Sequence, residues 1–105
     1  MIIEATVQGI GQVNTGVNQN TGIEWKNIEY VFVFDEGNTF NTFVGKVWDG
    51  QMNRIERLNL QLGKKYRLQL YMDAKSNQNG RKYNDIRIHD ARLIEEPQEQ
   101  EGAIE

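Results

Sequence analysis

The sequence contains no cysteine, one serine, one histidine and one proline among its 105 residues. Without cysteine the chain has neither a disulfide framework nor a thiolate metal site, which suits a reducing compartment. A serine nucleophile would need Ser76 and His89, and Ser76 lies in a predicted loop. A single histidine also excludes a histidine-rich metal site. We therefore expect a protein that is not an enzyme and holds no metal ion.

Signatures for nucleotide cofactors and membranes are missing as well. In the glycine-rich run at 9–16 the third glycine comes too late for a dinucleotide fingerprint, and no phosphate-loop lysine follows. The longest apolar run, Tyr30 to Phe34, is far too short to span a membrane. Met1-Ile2-Ile3 is followed at once by Glu4, unlike a signal peptide. The expectation is a cytoplasmic protein without a cofactor.

Charge divides the chain into two parts. Residues 1–94 carry all 12 lysines and arginines against 10 acidic residues, which leaves a slightly basic +2. Residues 95–105 carry five glutamates, no basic residue and the single proline. Their apolar content is too low to order them. We expect one folded domain at 1–94 and an acidic disordered tail at 95–105.

Alternating and β-branched residues predict five strands. Their predicted ranges are Ile3–Val13, Trp25–Phe34, Phe40–Trp48, Tyr66–Met72 and Lys82–Ile94. Gly9 and Gly11 predict a bulge or bend in the first strand. The polar segments at 14–22, 35–38 and 75–80 predict a loop, a turn and a second loop.

One segment between the third and fourth strands has a helical period instead. Its apolar residues are Met52, Ile55, Leu58 and Leu62, with Asp49 as a possible N-cap and Gly63 as a C-terminal glycine. Five strands with one short helix between strands three and four predict an all-β, five-stranded OB-fold barrel. Proteins of this fold most often bind oligonucleotides or oligosaccharides.

The aromatic residues divide into predicted core and predicted surface. Phe32 and Phe34 share one face of strand two and are expected in the core. Trp48 ends strand three, where a large ring is expected to close the end of the barrel. Trp25 lies outside the apolar alternation beside Lys26, and we expect it to face solvent.

Strands four and five predict a surface that is both basic and aromatic. Alternation places Tyr66, Leu68, Leu70, Met72, Ile86 and Ile88 inward, and Arg67, Gln69, Tyr71, Tyr83, Asp85, Arg87 and His89 outward. Bases on such a surface can track phosphates while flat rings stack on nucleobases. Two simpler interpretations remain: a solvated hairpin, and a surface ion pair between Asp85 and Arg87. His89 is expected to be an ordinary surface residue.

Three segments together resemble small bacterial OB-fold domains related to single-stranded DNA-binding protein. They are Gly22 to Val33, Phe43 to Trp48 and Gly80 to Arg87. The resemblance covers about residues 3–94 and implies single-stranded DNA binding along strands two and three and the last hairpin. The tail lacks the long linker and hydrophobic tip of those proteins, and the mildly basic barrel predicts weak, salt-sensitive binding.

The resulting hypothesis is single-stranded DNA binding with little sequence preference. Bases would stack on Trp25, Tyr71 and Tyr83, and phosphates would contact Lys26, Lys46, Arg67, Lys75, Arg81, Lys82 and Arg87. The choice between DNA and RNA stays open, and the protein is expected to form a homo-oligomer. The alternatives are a protein-interaction or homo-oligomeric assembly module without nucleic-acid affinity and an oligosaccharide binder.

Overall fold

The chain folds into five strands in the computed structural model, which describes residues 1–36 and 39–94. They are β1 (Ile2–Val17), β2 (Glu24–Glu36), β3 (Thr39–Trp48), β4 (Lys65–Ser76) and β5 (Lys82–Leu93). Between β3 and β4 lie a 3₁₀ turn (Gly50–Met52) and the helix α1 (Arg54–Leu58). The predicted tail at 95–105 lies outside the described residues.

The strands close into a barrel in the order β1-β2-β3-β5-β4. Closure depends on β1, which pairs with β4 through Ile2–Thr6 and with β2 from Thr6 onward. Its register shifts on both sides of the Gly9–Ile10 segment, so the predicted bend of the first strand is confirmed. A parallel contact between β3 and β5 completes the ring at Lys46 and Arg87. The fold is the predicted OB-fold.

The first hairpin is longer than predicted. Residues 14–17, predicted as loop, continue β1 and pair with residues 24–27 of β2. Their polar, glycine-containing sequence is not typical of a strand, and cross-strand pairing stabilises the strand there. The hairpin loop is therefore confined to 18–23. The second hairpin is confirmed, although Asp35 and Glu36 belong to β2 instead of the turn, and residues 37 and 38 lie outside the described residues.

The helix is shorter than its apolar spacing predicted. The N-cap of α1 is Asn53, so the prediction of Asp49 at that position is wrong, although the backbone N–H of Ile55 donates to Asp49 Oδ1 at 2.9 Å. The helix ends at Asn59, whose φ is +49°, four residues before the predicted Gly63. Met52 thus precedes the helix and Leu62 follows it, and both residues, predicted on its buried face, are exposed.

The barrel interior is filled by inward-facing residues of all five strands. Phe32 is fully buried and stacks on Phe43 with ring centroids 5.2 Å apart. Phe34 packs against this core, as predicted. Met72, predicted to point inward, is instead 50% exposed. The pairing of β4 with β1 ends at Gln69, so β1 does not cover the inner face of the hairpin beyond that residue.

Candidate functional site

Two tryptophans lie side by side on the outer face of β2 and β3. The centroids of the Trp25 and Trp48 rings are 5.7 Å apart, with 54° between the ring planes. Trp25 is 38% exposed, which confirms its predicted solvent-facing position. The prediction that Trp48 closes the barrel end is wrong. Val47 is fully buried, and strand alternation therefore turns its neighbour Trp48 outward.

Gly16 positions the ring of Trp25. The two residues are paired across β1 and β2, and the indole lies directly against the glycine. A β-carbon at Gly16 would come within 3.0 Å of three atoms of the ring. One face of the indole is thus supported by the β1 backbone.

Arg87 continues this surface from β5. Its guanidinium carbon lies 5.2 Å from the centroid of the Trp48 ring, within the range of a cation–π contact. The contact exists because β3 and β5 are adjacent and pair at Lys46 and Arg87. The chain segments concerned are far apart in the sequence and meet only in the closed barrel.

Tyr71 and His89 extend the surface beyond Arg87. Tyr71 is the cross-strand partner of Arg87, and its ring centroid lies 5.3 Å from that of His89. A cavity of about 200 Å³ lies among Trp48, Tyr71, Arg87 and His89. We call these five residues, Trp25, Trp48, Arg87, Tyr71 and His89, the aromatic row.

A larger cleft opens at the Trp25 end of the aromatic row. It encloses about 730 Å³ between the end of the first hairpin and the turn after β3. Its lining includes Val17, Ile23, Glu24 and Asp49 together with both tryptophans. Lys26 also lines this cleft, so the row begins between apolar walls with charges of both signs at the edges.

Arg87 of the aromatic row and two lysines beside the row converge on one carboxylate. Asp85 Oδ2 accepts a hydrogen bond from Arg87 Nε at 3.0 Å and lies 3.5 Å from Lys75 Nζ, and its Oδ1 lies 3.6 Å from Lys46 Nζ. The Asp85 side chain is only 6% exposed. The predicted pair between Asp85 and Arg87 is present, but its carboxylate is buried instead of lying on the surface as predicted.

The environment of Asp85 favours its charged form. Burial alone would raise the pKa of this carboxyl, but the Arg87 hydrogen bond and the charges of Lys46, Arg87 and Lys75 act in the opposite direction. The balance holds the pKa of Asp85 below its ordinary value. Asp85 is therefore ionised near neutral pH and remains a partner for all three cations.

The other predicted phosphate contacts are less concentrated. Lys26 Nζ lies 3.7 Å from Asp49 Oδ2, beside the Trp25 end of the row. Arg67 pairs with Glu4 at 3.1 Å where β4 meets β1, away from the row. Lys82 Nζ donates to Ser76 Oγ at 3.1 Å at the base of the β4–β5 loop, next to the exposed Arg81. Tyr83, predicted to stack on bases, is exposed and pairs with Lys75, but the ring contacts found among the described residues do not join it to the aromatic row.

Sequence reasoning missed two members of the aromatic row. The position of Trp48 at the end of a strand predicts a ring that closes the barrel. Val47, however, faces inward, and the next residue of a strand faces the opposite side. His89 is exposed as expected, yet its ring contacts Tyr71. No local signal places His89 there, because the contact depends on the pairing of β4 with β5.

Neither a metal centre nor a membrane-spanning helix is found among the described residues. Across 1–36 and 39–94, no group of three or more histidine, aspartate or glutamate side chains is arranged to hold a metal ion. Within the same ranges, no helix has the length and apolar content needed to cross a membrane.

Comparison with solved structures supports the assignment of the fold. The second OB-fold domain of replication protein A from Methanococcus maripaludis matches with a TM-score of 0.60 and 17% identity, over 90% of this chain and 83% of that one. The small single-stranded DNA-binding protein from Streptomyces coelicolor matches with a TM-score of 0.47 and 16% identity, over 87% and 88% of the two chains. No family model and no curated protein matches the sequence. The likeness to the replication protein A domain establishes an OB-fold.

Proposed function

We propose that the protein binds single-stranded DNA with little sequence preference and without catalysis. The observation that carries this proposal is the aromatic row, in which Trp25, Arg87, Tyr71 and His89 form one outer surface with the partly exposed Trp48. Every nucleobase has a flat face, so stacking on such a row tolerates all four bases. The likeness to the replication protein A domain supports the barrel on which the row is built.

The charges beside the aromatic row suit a polyanion. Lys46, Lys75 and Arg87 share a single carboxylate, which leaves two positive charges in surplus at that point. Lys26 lies at one end of the row, and Arg81 and Lys82 lie in the β4–β5 loop. Because several of these cations are already paired with carboxylates, we expect modest affinity that falls steeply as salt is raised.

Intrinsic fluorescence provides a direct test. The chain contains two tryptophans, and both belong to the aromatic row, so quenching reports on the proposed interface itself. Titration with oligo-dT at low salt should quench the emission, and added salt should reverse the quenching. Unchanged emission at micromolar protein, together with no binding by a second method, would contradict the proposal.

The proposal extends to single-stranded RNA and to a cellular location. The row offers stacking and ionic contacts, both of which DNA and RNA provide, so oligo-U should compete with oligo-dT without large preference. We place this activity in the cytoplasm, because a sequence without cysteine suits a reducing compartment. Equal affinity for a neutral oligosaccharide would argue against nucleic acid as the ligand.

A second candidate function is assembly with further copies of the chain. Val13, Val17 and Ile23 of the first hairpin are all more than half exposed, and apolar surface of this kind often marks a protein contact. Light scattering with and without oligo-dT separates the two functions. Oligomers that form without any affinity for oligo-dT would favour assembly alone.

A further inference from the structure

The cations around Asp85 come from three different strands. Lys46 belongs to β3, Lys75 to β4, and Arg87 to β5 together with Asp85 itself. Asp85 and Arg87 are two residues apart and so share one face of the strand. The parallel pairing at Lys46 and the hairpin pairing near Lys75 then bring the two amino groups to the same carboxylate.

The carboxylate is covered while the cations stay accessible. Asp85 is 6% exposed, whereas the side chains of Lys46, Lys75 and Arg87 are 32%, 36% and 45% exposed. Each ammonium group has three donors and can keep some for solvent or a ligand. Arg87 donates its Nε–H to Asp85, and its guanidinium carbon lies over the ring of Trp48. The hydrogen bonds found among the described residues do not involve its two terminal nitrogens, which can therefore bind an oxyanion.

We propose that Asp85 is a positioning residue that holds Lys46, Lys75 and Arg87 together as a phosphodiester subsite beside the aromatic row. This inference rests on the proposed function and assigns the place where the backbone of the bound strand is held. The buried carboxylate fixes three long side chains before the ligand arrives, so less conformational freedom is lost on binding.

Substitution of Asp85 tests the role because the two effects of removing its charge differ in sign. Removing one negative charge, taken alone, raises the affinity for any polyanion. Removing the anchor lets the three cations disperse and weakens binding. Asp73→Asn is the matched control, since Asp73 is exposed and lies directly opposite Asp85 in β4. The salt bridges found among the described residues do not include Asp73.

The experiment is an oligo-dT titration of the full chain, Asp85→Asn and Asp73→Asn at several salt concentrations. We expect Asp73→Asn to bind as tightly as the parent chain or more tightly, and Asp85→Asn to bind more weakly. The salt dependence of log K should decrease in magnitude by about 0.7 for each phosphate that the variant no longer neutralises. Binding by Asp85→Asn that equals or exceeds that of Asp73→Asn would overturn the positioning role. Failure of the parent chain to bind would instead overturn the proposed function.

A measurement on the parent chain keeps the proposal testable if Asp85→Asn does not fold. The Arg87 Nε–H group should exchange slowly with solvent and show restricted motion by NMR, both free and with oligo-dT bound. Arg81, exposed in the β4–β5 loop, is the internal reference for a mobile arginine. An Arg87 signal as mobile as that of Arg81, or one released from Asp85 on binding, would contradict the proposal.

Discussion

Gly16 and the indole of Trp25 are in direct contact across the first hairpin. The pairing of β1 with β2 places them opposite each other, and the ring occupies the space in which a side chain at position 16 would lie. The orientation of the Trp25 ring in the aromatic row therefore depends on a missing β-carbon on the neighbouring strand.

Gly16→Ala should displace the Trp25 ring and weaken oligonucleotide binding. The added β-carbon would overlap the indole, whereas at Gly9 of the same strand it would meet Val31 at an ordinary 3.6 Å. Gly9→Ala is thus the matched control. Near-UV circular dichroism should change for Gly16→Ala and stay close to the parent spectrum for Gly9→Ala. Unchanged spectra and affinity for both variants would rule out this role of Gly16.

Trp25→Ala should reduce affinity for oligo-dT more than Trp25→Phe does. Stacking of one base on an aromatic ring contributes about 1–3 kcal/mol, and phenylalanine keeps a flat face in the same position. Isothermal titration calorimetry at low salt gives both values without relying on tryptophan emission. Equal decreases for the two substitutions would mean that the ring face is not what the ligand contacts.

Arg87→Ala should lower both the affinity and its salt dependence. The substitution removes a cation that lies over Trp48 and next to Lys46, and each phosphate left without its cation lowers the magnitude of the salt slope by about 0.7. Arg92→Ala is the control, because this exposed arginine of β5 lies opposite Arg67, away from the row. We expect Arg92→Ala to reduce affinity less than Arg87→Ala does, and the reverse order would relocate the interface.

Acid should remove the stabilisation that Asp85 provides. Its pKa is lowered in the folded protein, so the contribution is present above the unfolded pKa, about 3.9, and is lost as pH falls through the folded value. Asp85→Asn should cost about 1–2 kcal/mol of unfolding free energy at pH 7, less than for a wholly buried pair because the cations are partly exposed. Urea unfolding at pH 7 and pH 3 measures the difference, which should shrink at pH 3. A difference that is constant with pH would show that the ion pairs do not stabilise the fold.

Gly45→Ala should destabilise the barrel without involving the aromatic row. A β-carbon there would lie 2.9 Å from Ile88 Cδ1 and 3.1 Å from Phe32 Cε2, and overpacking of this kind costs about 1–3 kcal/mol. Thermal unfolding should show a lower midpoint than for Gly9→Ala. A midpoint equal to that of the parent chain would mean that the core can accommodate the methyl group.

Much of the fold was predictable because strand patterns are local. Alternation along Tyr66, Leu68 and Leu70 assigned an inner face that the structure confirms. The same rule failed at Met72, where β4 continues beyond the end of its pairing with β1. The predicted helix was too long for a related reason, since apolar spacing does not show that the chain turns at Asn59.

Less of the candidate site was predictable. The sequence indicated Trp25, Tyr71 and Arg87 as outward residues but did not show that Arg87 reaches Trp48. Alternation also placed Asp85 on the outer face, where exposure is the ordinary expectation. Its burial results from three long side chains that surround it, two of them from other strands.

The sequence by itself determined the number of strands, their order along the chain and most of their inward faces. These follow from the two-residue period of a strand, which is a property of neighbouring residues. The tertiary structure alone decided which distant side chains meet. Closing the ring through β3 and β5 brings Lys46 beside Arg87. The same closure places the cations around Asp85 next to the two tryptophans. Contacts between residues so far apart depend on strand register and barrel closure, and no local pattern encodes either of them.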